Sequence, residues 1–201
     1  MNKQANTDHP VHDLIQKRWS PRSFADKMVP SETLKSLLEA ARWAASSFNE
    51  QPWRMIVATK DQPEEYEQLL SCLGEFNQAW AKSAPVLILT VASLNFDRNG
   101  NANRHAYYDL GAAVAQLSIQ AAAADLFLHQ MAGYDAAKAK EVFSIPEGYE
   151  SASVLALGYL GDANHLPEEL KEPELAPGSR KPLSDWVFAA NGNWGATSSL
   201  V

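Results

Sequence analysis

The sequence predicts a mixed α+β domain built on one apolar sheet around a dominant central helix. Three observations carry this. Short runs of β-branched and apolar residues recur along the chain, with Val86–Val91 (VLILTV) the clearest. The segment His105–Leu126 is alanine-rich and apolar almost all round, as a helix buried in a core or at a subunit interface would be. Helices and strands do not alternate strictly, and GxGxxG is absent, so a doubly wound nucleotide-binding fold does not fit.

The elements follow in order. Leu34, Leu37, Leu38, Ala41 and Ala45 share one helical face, predicting a helix from Ser31 to about Ala45, with Ser31 as its cap and Glu32 in the first turn. Arg54–Ala58 (RMIVA) has strand character, and Pro63–Leu73 helical character. Pro85 introduces the Val86–Val91 strand, buried on both faces. Phe96–Arg104 is a polar turn containing Gly100, leading into the central helix. Phe127–Met131 is a third strand, Asp135 caps a helix through Val142, and Ser153–Leu160 is a fourth strand. Pro167–Pro182 is a charged connector too extended for a compact monomer, and it suits wrapping a neighbouring subunit. Leu183–Phe188 is expected to form a short last strand, and Ala189–Val201, rich in Gly, Asn and Ser, a tail.

Composition narrows the function. The chain has 201 residues, enough for one domain with its own core. Seventeen Lys and Arg against 24 Asp and Glu give a net charge of −7, which opposes binding to nucleic acid. One cysteine, Cys72, excludes an intrachain disulfide or a CxxC metal site and suits a lone buried thiol. The five histidines show no metal-ligand spacing, and HExxH, GxSxG and GxxxxGK[ST] are absent. The polar N-terminus has no apolar signal region, and no apolar run approaches the ~20 residues that span a bilayer, so the expected location is the cytoplasm, away from membranes.

Four segments can carry chemistry. Arg18-Trp19-Ser20-Pro21-Arg22 sets two guanidinium forks and a hydroxyl around a turn, suited to an anion; a solvated basic turn is the plainer reading. Ser46, Ser47, Asn49 and Gln51 crowd between the first long helix and the first strand, suited to a polyhydroxylated chain, or simply a polar loop. In Met131-Ala132-Gly133-Tyr134-Asp135, Gly133 allows close approach to a backbone N–H, or merely makes the turn. Arg180 and Lys181 place adjacent cations in an acidic chain, fit for a phosphate or for water.

In their order and spacing these segments resemble the nitroreductase family of FMN-dependent oxidoreductases. The resemblance rests on RWSPRSF, AARWAASSFNEQPWRMIVA, NQAWAKSAPVLIL, YYDLGAAVAQLSIQAAAADL, MAGYD and ALGYLGD followed by SRKPLSDWVF, over about residues 11 to 195. The SSxNxQPW block after AARWA is its most specific part.

The resemblance implies a single domain over 1–201, with 1–10 and 196–201 as tails, and a central, mostly antiparallel sheet flanked by helices. It implies an intertwined homodimer whose C-terminal strand is swapped onto the partner's sheet, with FMN tightly bound where the chains meet. Arg18 would meet the phosphate, with Trp19, Ser20 and Arg22 beside it and Arg22 near the N1/O2 edge. Ser46, Ser47, Asn49 and Gln51 would come from the other chain, on the ribityl side and ring edge. Asn77 would touch the ring, and Met131 and Ala132 would flank Gly133, whose N–H lies near N5. Arg180 would bind phosphate, with Lys181 adjacent. Arg22 and Gly133 would be the catalytic contacts. The implied reaction is ping-pong: hydride passes from NAD(P)H, a transient donor, through flavin N5 to a nitroaromatic, quinone or activated alkene. No metal is implied. A flavin-binding redox sensor or store on the same scaffold is the alternative, because cofactor residues are legible and substrate residues are not. Departures from the family lie in the short 96–104 segment, which would leave the site open, and in Gln130 and Ala132, which bear on acceptor and nicotinamide preference.

Overall fold

A computed structural model describes residues 3–200. Four strands form one sheet: β1 (Trp53–Thr59), β2 (Val86–Ser93), β3 (Leu126–Met131) and β4 (Tyr149–Tyr159). Their order is β1-β2-β4-β3 and every neighbouring pair is antiparallel. The α+β expectation is met. β2 is buried along its whole length, as its unbroken apolar run requires of a central strand covered on both faces. Thr90 and Val91 straddle a register shift against β4, where Ala152 is the extra residue.

Among the described residues, seven helices flank the sheet: α1 (Asp13–Lys17), α2 (Ser31–Arg42), α3 (Pro63–Ser71), α4 (Glu75–Ala81), α5 (Ala106–Ala123), α6 (Ala136–Val142) and α7 (Glu168–Leu175). α2 and α5 cover one face, where Leu37, Ala41, Leu110, Leu117, Ile88 and Leu155 form one core. α3, α4, α6 and α7 contribute to the core on the other face, where Tyr66, Trp80, Leu87, Leu89, Ala139, Val154 and Leu170 pack. At about 25 cal/mol per Å² of apolar surface removed from water, these two cores are the main source of stability.

Several expectations change. Pro30, not Ser31, occupies the cap position of α2, and no side chain caps it; Ser31 is the first helical residue. The helix ends at Arg42 rather than Ala45, because Ala45–Asn49 turns away into the polar loop. α1 and α4 were not expected; both are short, and their apolar residues give no readable period. The connector is not extended throughout: α7 occupies it, with Pro173 inside, and it buries Leu170 and Glu174. Leu183–Phe188 is not a strand. Leu183–Asp185 is a single 3-10 turn, and Phe188 makes an isolated bridge with Thr197. Asp135 does cap α6, accepting from the Lys138 N–H at 2.9 Å. Among the residues expected to form an N-terminal tail, those described fold back: the Ala5 N–H donates to the Gln16 carbonyl at 2.8 Å. Met1, Asn2 and Val201 lie outside the described residues.

Candidate functional site

The arginine-bearing segment lies against the side chains of β3. Alternation along β3 sends Phe127, His129 and Met131 to one face. The Trp19 ring meets Phe127 edge-on at 6.1 Å, and His129 Nδ1 lies 2.9 Å from the Pro21 carbonyl. A carbonyl only accepts, so Nδ1 carries the proton. His129 also packs 4.6 Å from the Trp80 ring, and burial pulls its pKa down from 6.5 to about 4. The ring is therefore held neutral near pH 7.

Glu174 holds the segment from the other side. It is buried, and its carboxylate accepts the Arg22 N–H at 2.9 and 3.1 Å and the Ser23 N–H at 3.3 Å. A buried carboxylate needs such partners. Its Oε2 is 4.0 Å from the Arg22 guanidinium. Sequence reading missed Glu174, one of four glutamates in a charged connector with no motif to mark it.

Arg18 and Arg180, from opposite ends of the chain, line a single cavity of about 240 Å³ together with Trp19 and Ser179. The Arg18 guanidinium lies 3.4 Å from Ser20 Oγ. Burial, and then the charge of Arg180, lower the Arg18 pKa from its ordinary value. Two like charges on one small volume make a cavity suited to an anion. Lys181 is exposed and stands outside the cavity wall.

At the far end of β3, the chain turns through Ala132 and Gly133. The Gly133 carbonyl accepts from Asn77 Nδ2 and from the Gly74 N–H, each at 3.0 Å. Its own N–H has no protein partner among the described residues, and the glycine is exposed. A Cβ at 133 would stand 2.7 Å from Asn77 Nδ2, so a larger residue there would displace the Asn77 amide from the Gly133 carbonyl. Met131 is buried beneath this turn. The structure thus joins Asn77 to Gly133, and β3 links both to the arginines. Phe127 to Met131 spans about 13 Å of strand.

The polar loop is separate. Ser46 Oγ accepts the Gln51 N–H at 3.0 Å, and the Ser47 N–H donates to Asp109 Oδ2 at 2.9 Å. Asp109 is buried on α5 and is a second residue that sequence reading missed. Phe48, Asn49 and Gln51 all have positive φ, at 54°, 57° and 52°. Three non-glycine residues held this way in four positions are strained, and such strain clusters at functional sites. Among the described residues, no backbone hydrogen bond ties this loop to the arginine segment or to Gly133, and none of its residues lines the arginine cavity. Cys72 is buried, and burial pushes its thiol pKa up. No cluster of His, Cys, Asp or Glu among the described residues could hold a metal ion. No helix among them is long and apolar enough to cross a membrane.

Comparison with known proteins identifies the fold and the family. The crystal structure of an oxidoreductase containing FMN superimposes with a TM-score of 0.88 at 34% identity, covering 96% of this chain and 97% of that one. An uncharacterised 15.4 kDa protein of Mycolicibacterium smegmatis is 35% identical over 135 residues, covering 67% of this chain and 88% of its own. The major NAD(P)H-flavin oxidoreductase of Aliivibrio fischeri is 29% identical, covering 89% of this chain and 98% of its own. The nitroreductase family model matches residues 15–159, and the chain belongs to the nitroreductase family.

Proposed function

We propose that the protein is an FMN-dependent oxidoreductase that uses NAD(P)H to reduce a small nitroaromatic, quinone or activated alkene. One observation carries the reading: two arginines from opposite ends of the sequence converge on an anion cavity, while an unpaired Gly133 N–H stands at the other end of the same strand. That spacing suits one elongated ligand with a phosphate at one end and a hydrogen-bond acceptor at the other. Residues and cofactor fit. The related structure that contains FMN supports the same group.

Arg18 and Arg180 would hold the phosphate, with Ser20 as a neutral donor and Trp19 and Lys181 beside them. Arg22, its backbone fixed by Glu174, would put a cation beside the N1/O2 edge, where negative charge develops on reduction. Asn77, Met131 and Ala132 would hold Gly133 so that its N–H meets N5. FMN, when bound, would supply the hydride chemistry between NADH or NADPH and the acceptor. The chain's own part is binding, orientation and electrostatics, so no side-chain nucleophile is needed.

Ser46, Ser47, Asn49 and Gln51 would complete the site of a second copy, which accounts for a rigid polar loop placed away from the arginines. Tyr108, Gly111, Ala112, Ala115 and Ile119 form an incompletely buried face on α5 that a second chain would cover. Trp186 and Trp194 are 61% and 90% exposed, which fits a C-terminal segment that crosses to the partner, and β1 leaves a sheet edge open to another strand.

The test is absorbance. The protein, as purified or after adding FMN, should gain a flavin band near ~450 nm. Anaerobic NADH or NADPH should bleach it, and an acceptor should restore it. No band sinks the reading; a band that neither nucleotide bleaches favours a flavin store.

A further inference from the structure

Residues 3–7 precede the part of the chain that the family model matches, yet they form one wall of the arginine cavity. The Ala5 N–H fastens this segment to the Gln16 carbonyl at 2.8 Å. Lys3 Nζ donates to the Glu174 carbonyl at 2.9 Å and stands 4.7 Å from the centre of the Trp19 ring. Glu174 lies in the last turn of α7, where a carbonyl lacks a helical partner and a cation is favoured. Glu174 is therefore shared. Its carboxylate fixes the Arg22–Ser23 backbone, and its carbonyl fixes Lys3.

We propose that residues 3–7 are a strap that completes the anion cavity, with Lys3 as its third cation, and that the strap sets affinity for the phosphate end of the ligand. The proposal rests on the FMN reading. A phosphate monoester carries about −1.5 to −2 charge at pH 7. Arg18 and Arg180 alone meet that charge only at the cost of facing each other across a small volume. Lys3 comes from a separate segment, and its ammonium has three donors, of which the Glu174 carbonyl takes one. Gln4, Asn6 and Thr7 add neutral polar groups to the same wall. The strap thus lines the cavity with donors beside the two arginines.

The experiment titrates apo-protein with FMN and with riboflavin, which lacks the phosphate, following flavin fluorescence. It compares the full chain, Lys3→Ala, Lys3→Arg and a chain lacking residues 1–8. Lys3→Ala should weaken FMN binding about fivefold, the scale of one partly screened charge. The truncation should weaken it further. Lys3→Arg should restore most of the loss, and riboflavin affinity should not change. Unchanged FMN affinity in both Lys3→Ala and the truncation overturns the strap. So does an equal loss for FMN and riboflavin, which marks a general structural role. A full chain that holds FMN no tighter than riboflavin overturns the phosphate assignment of the cavity, and the strap with it.

Discussion

At Arg18, burial strips water from a guanidinium while Arg180 adds a like charge nearby. Both effects disfavour the protein without an anion and are relieved by one. Arg18→Ala should therefore weaken FMN binding by about 1.5–3 kcal/mol, the range of a hydrogen bond to a charged group, as read by titration; unchanged affinity refutes the phosphate role. His129 gives a pH prediction. Its folded pKa is about 4 against an ordinary 6.5, chiefly because burial penalises the charged ring. As pH falls through 6.5 the unfolded chain takes up a proton that the native ring refuses until about 4. Stability should fall across that window by up to about 3 kcal/mol, with nothing lost at higher pH. Denaturant midpoints at pH 7 and 5 should show this, and His129→Gln should flatten the difference; an equally steep fall in that variant assigns it elsewhere. Arg18, Arg180 and Gly133 stood out in the sequence because their residue types state their chemistry, and Asn77 entered only through the family resemblance. Glu174, His129 and Asp109 were not, since a buried carboxylate or imidazole acquires its role only from the backbone groups folded against it.

Among the elements, β3 organises the site and the end of β4 holds the arginine segment in place. Phe24 bridges to Leu160, and the Gly161 N–H donates to the Ser23 carbonyl at 2.9 Å. A Cβ at 161 would lie 2.6 Å from the Phe24 carbonyl carbon and 2.7 Å from its oxygen. The obstacle is backbone and cannot swing aside. Gly161→Ala should cost about 1–3 kcal/mol through overpacking, measured by urea unfolding; a loss under ~0.5 kcal/mol would mean that the junction yields. The four strands and the helices with a clear apolar stripe were readable because periodicity reports burial directly. α1, α4 and α7 were not. They run five to eight residues, too few for a period, and their helicity depends on what they pack against. The last expected strand failed for a related reason: six residues of strand character need an edge to pair with, and within this chain they find only a single bridge.

For the whole molecule, an incompletely buried α5 face and exposed C-terminal tryptophans are features that a second copy would cover. The flavin-loaded protein should run as a dimer in light scattering. Ala115→Glu, an exposed substitution within one chain, should shift it toward monomer and release flavin together; a stable flavin-loaded monomer of the unaltered protein contradicts a shared site. The sequence by itself determined the fold class, the sheet's central strand, the central helix and the residue types suited to an anion, because apolar period and side-chain charge are local properties. Only the tertiary structure decided that Arg18 and Arg180 share one cavity, that Glu174 braces the arginine segment, and that Asn77 holds Gly133. Those facts depend on contacts between residues 56 to 162 positions apart, which no local pattern encodes.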